Sequence, residues 1–124
     1  MTNIEKLPEL VNGNAALVRR GKHFSANVMI EVGDRQHLVR FEQGRIAAVT
    51  PIRINLQSWT FAIRAAADVW ERFWLPVPPP GYHDLIALLR YGRLRFEGNL
   101  QPLMANLIYL KLVLETPRVL EAGR

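Results

Sequence analysis

The chain has 124 residues, 49% of them hydrophobic and 22% charged, which excludes a largely disordered protein. It has no cysteine, which excludes disulfides and thiolate chemistry and favours a reducing, cytoplasmic location. The net charge of +5 suits phosphates, carboxylates or an acidic partner, although a plain basic surface explains it equally well. A length of 124 residues predicts one domain over residues 1–124. We expect it to be soluble, because no apolar run reaches the ~20 residues of a membrane span.

The N-terminal half is predicted to form short helices and then a three-stranded meander. Apolar spacing over residues 4–17 predicts one or two short helices, weakened by Pro8 and Gly13. A basic turn, Arg19 to His23, follows. Alternating apolar residues and short glycine turns then predict three antiparallel strands, over residues 24–32, 37–42 and 45–50.

Residues 52–74 allow two interpretations. Alternation around Trp59, Phe61 and Ile63 favours a strand to about Ala65, followed by a short helix over residues 67–75. The same region also fits one long helical stripe that runs from Trp59 to Trp74. We favour the strand and helix, because β-favouring residues crowd the first half.

The C-terminal half begins with four prolines between Pro76 and Pro80, which predict a stiff, extended connector. A clear amphipathic helix follows over residues 82–91 and ends at Gly92. A short strand over residues 93–97 leads to Asn99, which is suited to cap a long apolar helix over residues 100–114.

This last arrangement resembles the C-terminal half of the SCP2 (sterol carrier protein type 2) domain family. The similar features are an amphipathic helix running into Gly92, the short basic strand over residues 93–97, and Gly98-Asn99 opening an apolar helix. The strand and helix over residues 59–74 are similar to the middle of that family. The resemblance covers residues 24–114, but the proline connector and the tryptophan-rich middle helix depart from the family pattern and leave the ligand open.

The resemblance implies an α+β fold with about five strands in a mostly antiparallel sheet, backed by helices, and an apolar cavity between sheet and helices. Members of the family bind sterols, fatty acyl chains and isoprenoid quinone intermediates, and some bacterial relatives are accessory proteins in ubiquinone biosynthesis. We therefore expect non-enzymatic binding or carriage of a lipid-like molecule, with no cofactor.

A cavity of this kind is lined mainly by apolar side chains, although ordinary core packing is the better explanation for any single one of them. The aromatic residues that crowd residues 59–82 favour a cavity. They would serve equally in a homodimer interface or in docking to a biosynthetic enzyme. The candidate lining residues are Trp59, Phe61, Trp70, Phe73, Trp74, Tyr82, Leu85, Leu88, Leu89, Met104, Leu107 and Ile108.

The best basic cluster contains Arg90, Arg93 and Arg95, with Arg93 and Arg95 on one face of a strand. It is a candidate for an anionic headgroup or for peripheral contact with an anionic membrane, against the simpler alternative of a solvated sheet face. Nucleic-acid binding is not favoured, because the sequence has no RNA-binding motif.

One weak catalytic alternative is the adjacent pair His83 and Asp84, acting in a small enzyme. Neighbouring side chains diverge on a helix, so a place in the first helical turn, with Asp84 at the positive end of the dipole, explains the pair better. The three histidines lack the spacing of metal ligands. An aspartate at Leu88 or Met104 is predicted to abolish binding or folding.

Overall fold

The computed structural model describes residues 3–52 and 58–122, and its centre is a five-stranded sheet. The strands are β1 (Ala26–Val32), β2 (Arg35–Glu42), β3 (Arg45–Pro51), β4 (Phe61–Ala65) and β5 (Leu94–Gly98). Their order across the sheet is β3-β2-β1-β4-β5. β1 and β4 are parallel, and each other neighbouring pair is antiparallel. The predicted α+β class with a mostly antiparallel five-stranded sheet is confirmed.

The described residues form seven helices. They are α1 (Leu7–Asn12), α2 (Ala15–Arg20), α3 (Ala67–Phe73), α4 (Leu85–Arg90), α5 (Leu100–Ala105), α6 (Leu107–Glu115) and α7 (Arg118–Ala122). The predicted strand followed by a helix is confirmed by β4 and α3, so the single-helix alternative is wrong. Residues 53–57 of that region lie outside the described residues.

Strand alternation gives the sheet an apolar inner face and an outer face that carries charged side chains. Glu31, Arg64 and Glu97 lie on the outer face. The inner face packs against the helices, and the core lies between them. The buried residues of the inner face include Val28, Ile30, Val39, Phe41, Phe61, Ile63 and Leu94.

The first of two aromatic clusters contains Phe24, Phe41, Phe61 and Tyr109, with contacting ring centroids 5.2–6.2 Å apart. Tyr109 belongs to α6, and its hydroxyl donates a hydrogen bond to the Gly44 carbonyl at 2.8 Å. Burial raises the pKa of Tyr109 to about 12, so the hydroxyl keeps its proton at neutral pH. This bond ties α6 to the turn between β2 and β3.

The second aromatic cluster lies at the other end of β1 and contains Trp70, Phe73 and Trp74. The two tryptophan rings stack with their centroids 5.1 Å apart. Each indole N–H donates to a backbone carbonyl at 2.8 Å, that of Trp70 to Glu31 and that of Trp74 to Leu114. Because both donors are satisfied, the tryptophans can be buried without losing a hydrogen bond.

The proline connector between α3 and α4 bends, whereas the sequence predicts an extended segment. The Tyr82 N–H donates to the Pro79 carbonyl at 3.0 Å and closes a turn. The Arg118 guanidinium then donates to the carbonyls of Phe73 at 2.8 Å and His83 at 2.7 Å. These bonds to its two ends hold the connector in its bent shape.

We predict that Gly21→Ala destabilises the protein by about 2 kcal/mol through overpacking. A Cβ at Gly21 would lie 2.4 Å from the Tyr109 ring, although the backbone φ of −96° suits any residue. The matched control is Gly13→Ala at an exposed helix end, which should change stability by under about 1 kcal/mol. Urea unfolding of both variants measures the difference. Equal stabilities would show that Tyr109 moves aside freely.

A second prediction concerns His37, which is 3% exposed on the inner face. Burial lowers the pKa of His37, so at pH values below about 6.5 the unfolded chain binds more protons than the folded one. Stability should therefore be steady above pH 6.5 and fall as the pH drops from 6.5 towards 5. Urea unfolding should show a weaker fall in His37→Leu than in the wild type. An unchanged fall in His37→Leu would contradict this assignment.

Candidate functional site

The predicted lining residues divide into a buried group and an exposed or partly exposed group. The buried group is Phe61, Trp70, Phe73, Trp74, Leu85 and Leu88. The exposed or partly exposed group is Trp59, Tyr82, Leu89, Met104, Leu107 and Ile108. The first group supplies core packing, and the second borders solvent, where a ligand can arrive.

Burial also corrects the idea that the aromatic patch docks a partner or forms a dimer. Trp70 and Phe73 are fully buried, and Trp74 is 6% exposed. Their rings pack against one another, and the two indole N–H groups donate to backbone carbonyls of the same chain. The exposed large apolar side chains of the described residues lie instead at Leu75 and beyond, mainly on α4, α5 and α6.

Trp59 and Phe61 are not brought together, although the sequence pattern predicts that both line one cavity. Phe61 packs on the inner face within the first aromatic cluster. The Trp59 ring lies 5.9 Å from the guanidinium carbon of Arg64, which is on the outer face. Arg64 also pairs with Glu31 at 2.9 Å and Glu97 at 2.8 Å. Trp59 therefore belongs to a charged surface.

The predicted single helix over residues 100–114 is wrong, because the chain breaks at Asn106 into α5 and α6. In a continuous α-helix, the Asn106 N–H would reach the Pro102 carbonyl. Here the Asn106 side-chain amide donates to that carbonyl at 2.9 Å, and the backbone N–H turns to Leu103 at 3.2 Å. This competition between side chain and backbone redirects the helix.

An open cleft of about 200 Å³, the α5–α6 cleft, lies at this break. Met104 and Ile108 are 54% and 60% exposed, whereas Tyr109 belongs to the buried first aromatic cluster. The lining of the cleft therefore combines exposed apolar side chains with one buried aromatic residue. Its residues are Arg20, Met104, Ala105, Asn106, Leu107, Ile108 and Tyr109, so Arg20 is its one charged side chain.

A second cleft of about 300 Å³, the α2–α6 cleft, shares Arg20 and is lined by Leu17 and Leu112 among others. Arg20 therefore stands between two clefts that follow α6. None of the ion pairs formed by the described residues includes Arg20. Its guanidinium is available for the carboxylate or phosphate of a bound molecule.

Sequence reasoning missed Arg20 and Tyr109 as site residues. The basic turn from Arg19 to His23 predicts exposed cations. The helices that it contacts lie more than 80 residues later in the chain, so the sequence does not show the contact. Tyr109 fits the apolar stripe of the last helix and gives no separate signal. Met104, Leu107 and Ile108 were identifiable from spacing, and the structure brings these three together.

Arg93 and Arg95 share a different cleft, of about 360 Å³, with Arg64 and Glu31 on the outer face. Arg93 stacks on the rings of two tyrosines, at 4.5 Å from Tyr82 and 5.1 Å from Tyr91. Arg95 is exposed and lies 3.7 Å from Glu97. Arg90, the third predicted headgroup residue, does not line this cleft. The predicted headgroup residues are therefore separate from the α5–α6 cleft.

His83 and Asp84 have structural roles. The Asp84 carboxylate accepts a hydrogen bond from the Ala87 N–H at 2.8 Å and caps α4. The His83 side chain is exposed, and its carbonyl accepts from Arg118. Among the described residues, no three histidine or carboxylate side chains are grouped as a metal site.

The architecture matches solved structures of sterol carrier proteins. A crystal structure of sterol carrier protein 2 superposes with a TM-score of 0.75 at 13% identity, covering 94% of this chain and 93% of that one. The chain has the SCP2 fold. The UbiJ-SCP2 ubiquinone synthesis protein gives a TM-score of 0.61 at 18% identity, with 94% and 88% covered. The sterol carrier protein domain 2 of Helicoverpa armigera gives 0.60 at 13% identity, with 98% and 86% covered.

No protein-family model and no curated protein matches the sequence. At identities of 13–18%, likeness to solved structures shows the fold and leaves the ligand to be argued from this chain. Of three clefts that the described residues form, two lie along α6 and one on the outer face. An SCP2 cavity between the sheet and the helices stays a prediction.

The substitutions Leu88→Asp and Met104→Asp should have different effects, because the two residues differ in burial. Leu88 is fully buried, so Leu88→Asp places a charge in the core and should unfold the protein. Met104 is 54% exposed, so Met104→Asp should keep the fold and weaken uptake of an apolar ligand at the α5–α6 cleft. Circular dichroism and titration with a fluorescent fatty acid measure the two effects. A folded Met104→Asp with wild-type uptake would remove Met104 from the site.

Proposed function

We propose that this SCP2-fold protein binds a lipid-like apolar molecule and carries or presents it without chemical conversion. The observation that carries the proposal is the α5–α6 cleft. There, exposed Met104 and Ile108 share the lining with the buried Tyr109 and with Arg20, its one charged residue. An apolar wall with one polar anchor is typical of sites for amphiphilic molecules.

The size of the clefts indicates how such a molecule would lie. Ligand sites usually enclose about 300–1,000 Å³, and the α5–α6 cleft alone measures about 200 Å³. We infer that the chain of the ligand continues along α6 into the α2–α6 cleft of about 300 Å³. Burying ten methylenes contributes about 8 kcal/mol, which corresponds to micromolar affinity before the entropy cost of association.

The candidate ligands are a fatty acyl chain, a sterol-like molecule and an isoprenoid quinone precursor. Sterols and quinone precursors are included because structural neighbours are sterol carrier proteins and a ubiquinone synthesis protein. Fatty acids are included because Arg20 offers a partner for a carboxylate.

The anionic group of the ligand has two candidate partners. Arg20 borders both clefts along α6. Arg93 and Arg95 line the cleft on the outer face, where the Arg93 guanidinium has no carboxylate partner among the described residues. We favour Arg20, because the same cleft holds the exposed apolar side chains.

Native mass spectrometry of the purified protein, followed by extraction and mass analysis of the released molecules, tests the proposal. We expect a co-purified lipid, fatty acid or quinone precursor, or uptake of one when a mixture is added. Arg20→Gln should weaken oleate binding about tenfold, in line with loss of a charge-assisted hydrogen bond. It should leave oleyl alcohol binding unchanged.

The matched control is Arg93→Gln, which removes the same charge on the outer face. A reversed result, with Arg93→Gln weakening oleate binding, would move the headgroup to the outer face. A protein that stays empty with fatty acids, sterols and quinone precursors would overturn the proposed function.

The alternative is an accessory subunit without a ligand. The observation that favours it is the group of exposed apolar side chains from Leu75 onwards, which a second copy or an enzyme could cover. Analytical ultracentrifugation distinguishes the two functions. A stable dimer that takes up no ligand would favour the accessory role.

A further inference from the structure

The cleft on the outer face, which we call the arginine cleft, differs in chemistry from the two clefts along α6. It measures about 360 Å³, and its lining includes Arg64, Arg93 and Arg95. The apolar side chains that line it are those of Ala65 and Ala66, whereas leucine, methionine and isoleucine line the clefts along α6. The arginine cleft therefore suits a polar, water-soluble molecule better than it suits an acyl chain.

Aromatic rings hold the Arg93 guanidinium in place. Its central carbon lies 4.5 Å from the centre of the Tyr82 ring and 5.1 Å from that of Tyr91. A Cβ added to Gly81 would lie 2.8 Å from one of its terminal nitrogens, so the guanidinium also borders the proline connector. No ion pair within residues 3–52 and 58–122 includes Arg93. Because contacts with aromatic rings do not use the N–H donors, a positioned set of donors is left for an anion.

The other two arginines of the cleft lie directly opposite each other. Arg64 of β4 and Arg95 of β5 are cross-strand partners, and like charges in such positions repel each other. Arg64 pairs with Glu31 at 2.9 Å and with Glu97 at 2.8 Å, and Arg95 lies 3.7 Å from Glu97. Three arginines therefore share two carboxylates. One positive charge is left over, and a bound anion would neutralise it.

We propose that the arginine cleft binds the phosphate group of a small, water-soluble phosphate ester. Arginine binds two phosphate oxygens at once through its planar fork of N–H donors. Arg93 supplies the main contact, and Arg95, whose side chain is 70% exposed, closes on the phosphate from β5. A volume of about 360 Å³ is small for a ligand site, so the organic part of the ester is small. The site lies on the face of the sheet opposite the helices and does not depend on the proposed lipid binding.

Glu31 supplies the part of the cleft that recognises the organic group. Its carboxylate accepts hydrogen bonds from Arg64 at 2.9 Å and from Gln36 at 3.2 Å, and both end at Oε1. Within the described residues, Oε2 is left to accept a hydrogen bond from a hydroxyl group. A carboxylate repels phosphate but binds hydroxyl groups. We therefore expect the cleft to favour an ester that carries hydroxyls, such as glycerol 3-phosphate, over inorganic phosphate.

Isothermal titration calorimetry tests the site, in about 0.15 M KCl to screen long-range attraction. Wild-type protein should bind glycerol 3-phosphate more tightly than inorganic phosphate and should not bind glycerol. Arg93→Gln should weaken binding of glycerol 3-phosphate at least about tenfold, in line with loss of a charge-assisted hydrogen bond. Glu31→Gln should bind inorganic phosphate and lose the preference for the ester. A wild-type protein that binds neither phosphate compound would overturn the proposal.

The matched control is Arg20→Gln, which removes the same charge beside the clefts along α6. It should bind glycerol 3-phosphate as the wild type does. Equal losses in Arg20→Gln and Arg93→Gln would show general attraction to a basic protein and would overturn the site. Circular dichroism checks that each variant folds. If Arg93→Gln does not fold, Arg95→Gln replaces it, because the exposed Arg95 side chain packs against little else.

Oleate titrations of the same variants separate the arginine cleft from the proposed lipid site. Arg93→Gln should bind oleate as the wild type does, and protein saturated with glycerol 3-phosphate should take up oleate unchanged. Competition between the two ligands would assign these arginines to the lipid headgroup and overturn a separate phosphate site. Binding of glycerol 3-phosphate by a protein that takes up no lipid would overturn the proposed carrier function and support the arginine cleft.

Discussion

The structure depends on the way helix α6 is fixed at both ends over the inner face of the sheet. Near its start, the Tyr109 hydroxyl donates to Gly44, and at its end the Leu114 carbonyl accepts from the Trp74 indole. Each bond satisfies a buried donor that would otherwise cost about 1–3 kcal/mol. Val113, between them, is fully buried. The break at Asn106 separates the anchored α6 from α5, and the α5–α6 cleft lies at that break.

The fold could be predicted largely from local patterns. Alternation in the first three strands, and the glycines between them, determine the meander, and the helix-strand-helix order near the C-terminus carries the resemblance to SCP2 domains. The errors came from single polar contacts that no periodicity shows. An apolar stripe continues through Asn106, but the side-chain amide takes the carbonyl that a continuous helix needs. Likewise, the bend of the proline connector depends on Arg118, a residue far along the chain.

The candidate site was predictable only in part, because spacing shows that a residue is apolar but not whether anything covers it. Trp70 and Met104 both fit an apolar helix face. One is fully buried and the other is more than half exposed. The predicted headgroup residues Arg93 and Arg95 lie on the outer face of the sheet. The cation beside the cleft comes from α2, whose place beside α6 is a property of the tertiary structure.

The late position of α6 in the chain also affects how the protein can fold during synthesis. The first three strands are joined by tight turns and can pair early, but Phe24 and Phe41 lack their contacts with the Tyr109 ring until α6 is made. The contact between Tyr109 and Gly44 closes a loop of 65 residues. The chain loses conformational entropy on this closure before the native contacts can compensate for the loss. A nascent chain that has emerged only as far as β5 therefore lacks the part of its core that α6 supplies. During that interval it is open to aggregation and is a natural client for a chaperone.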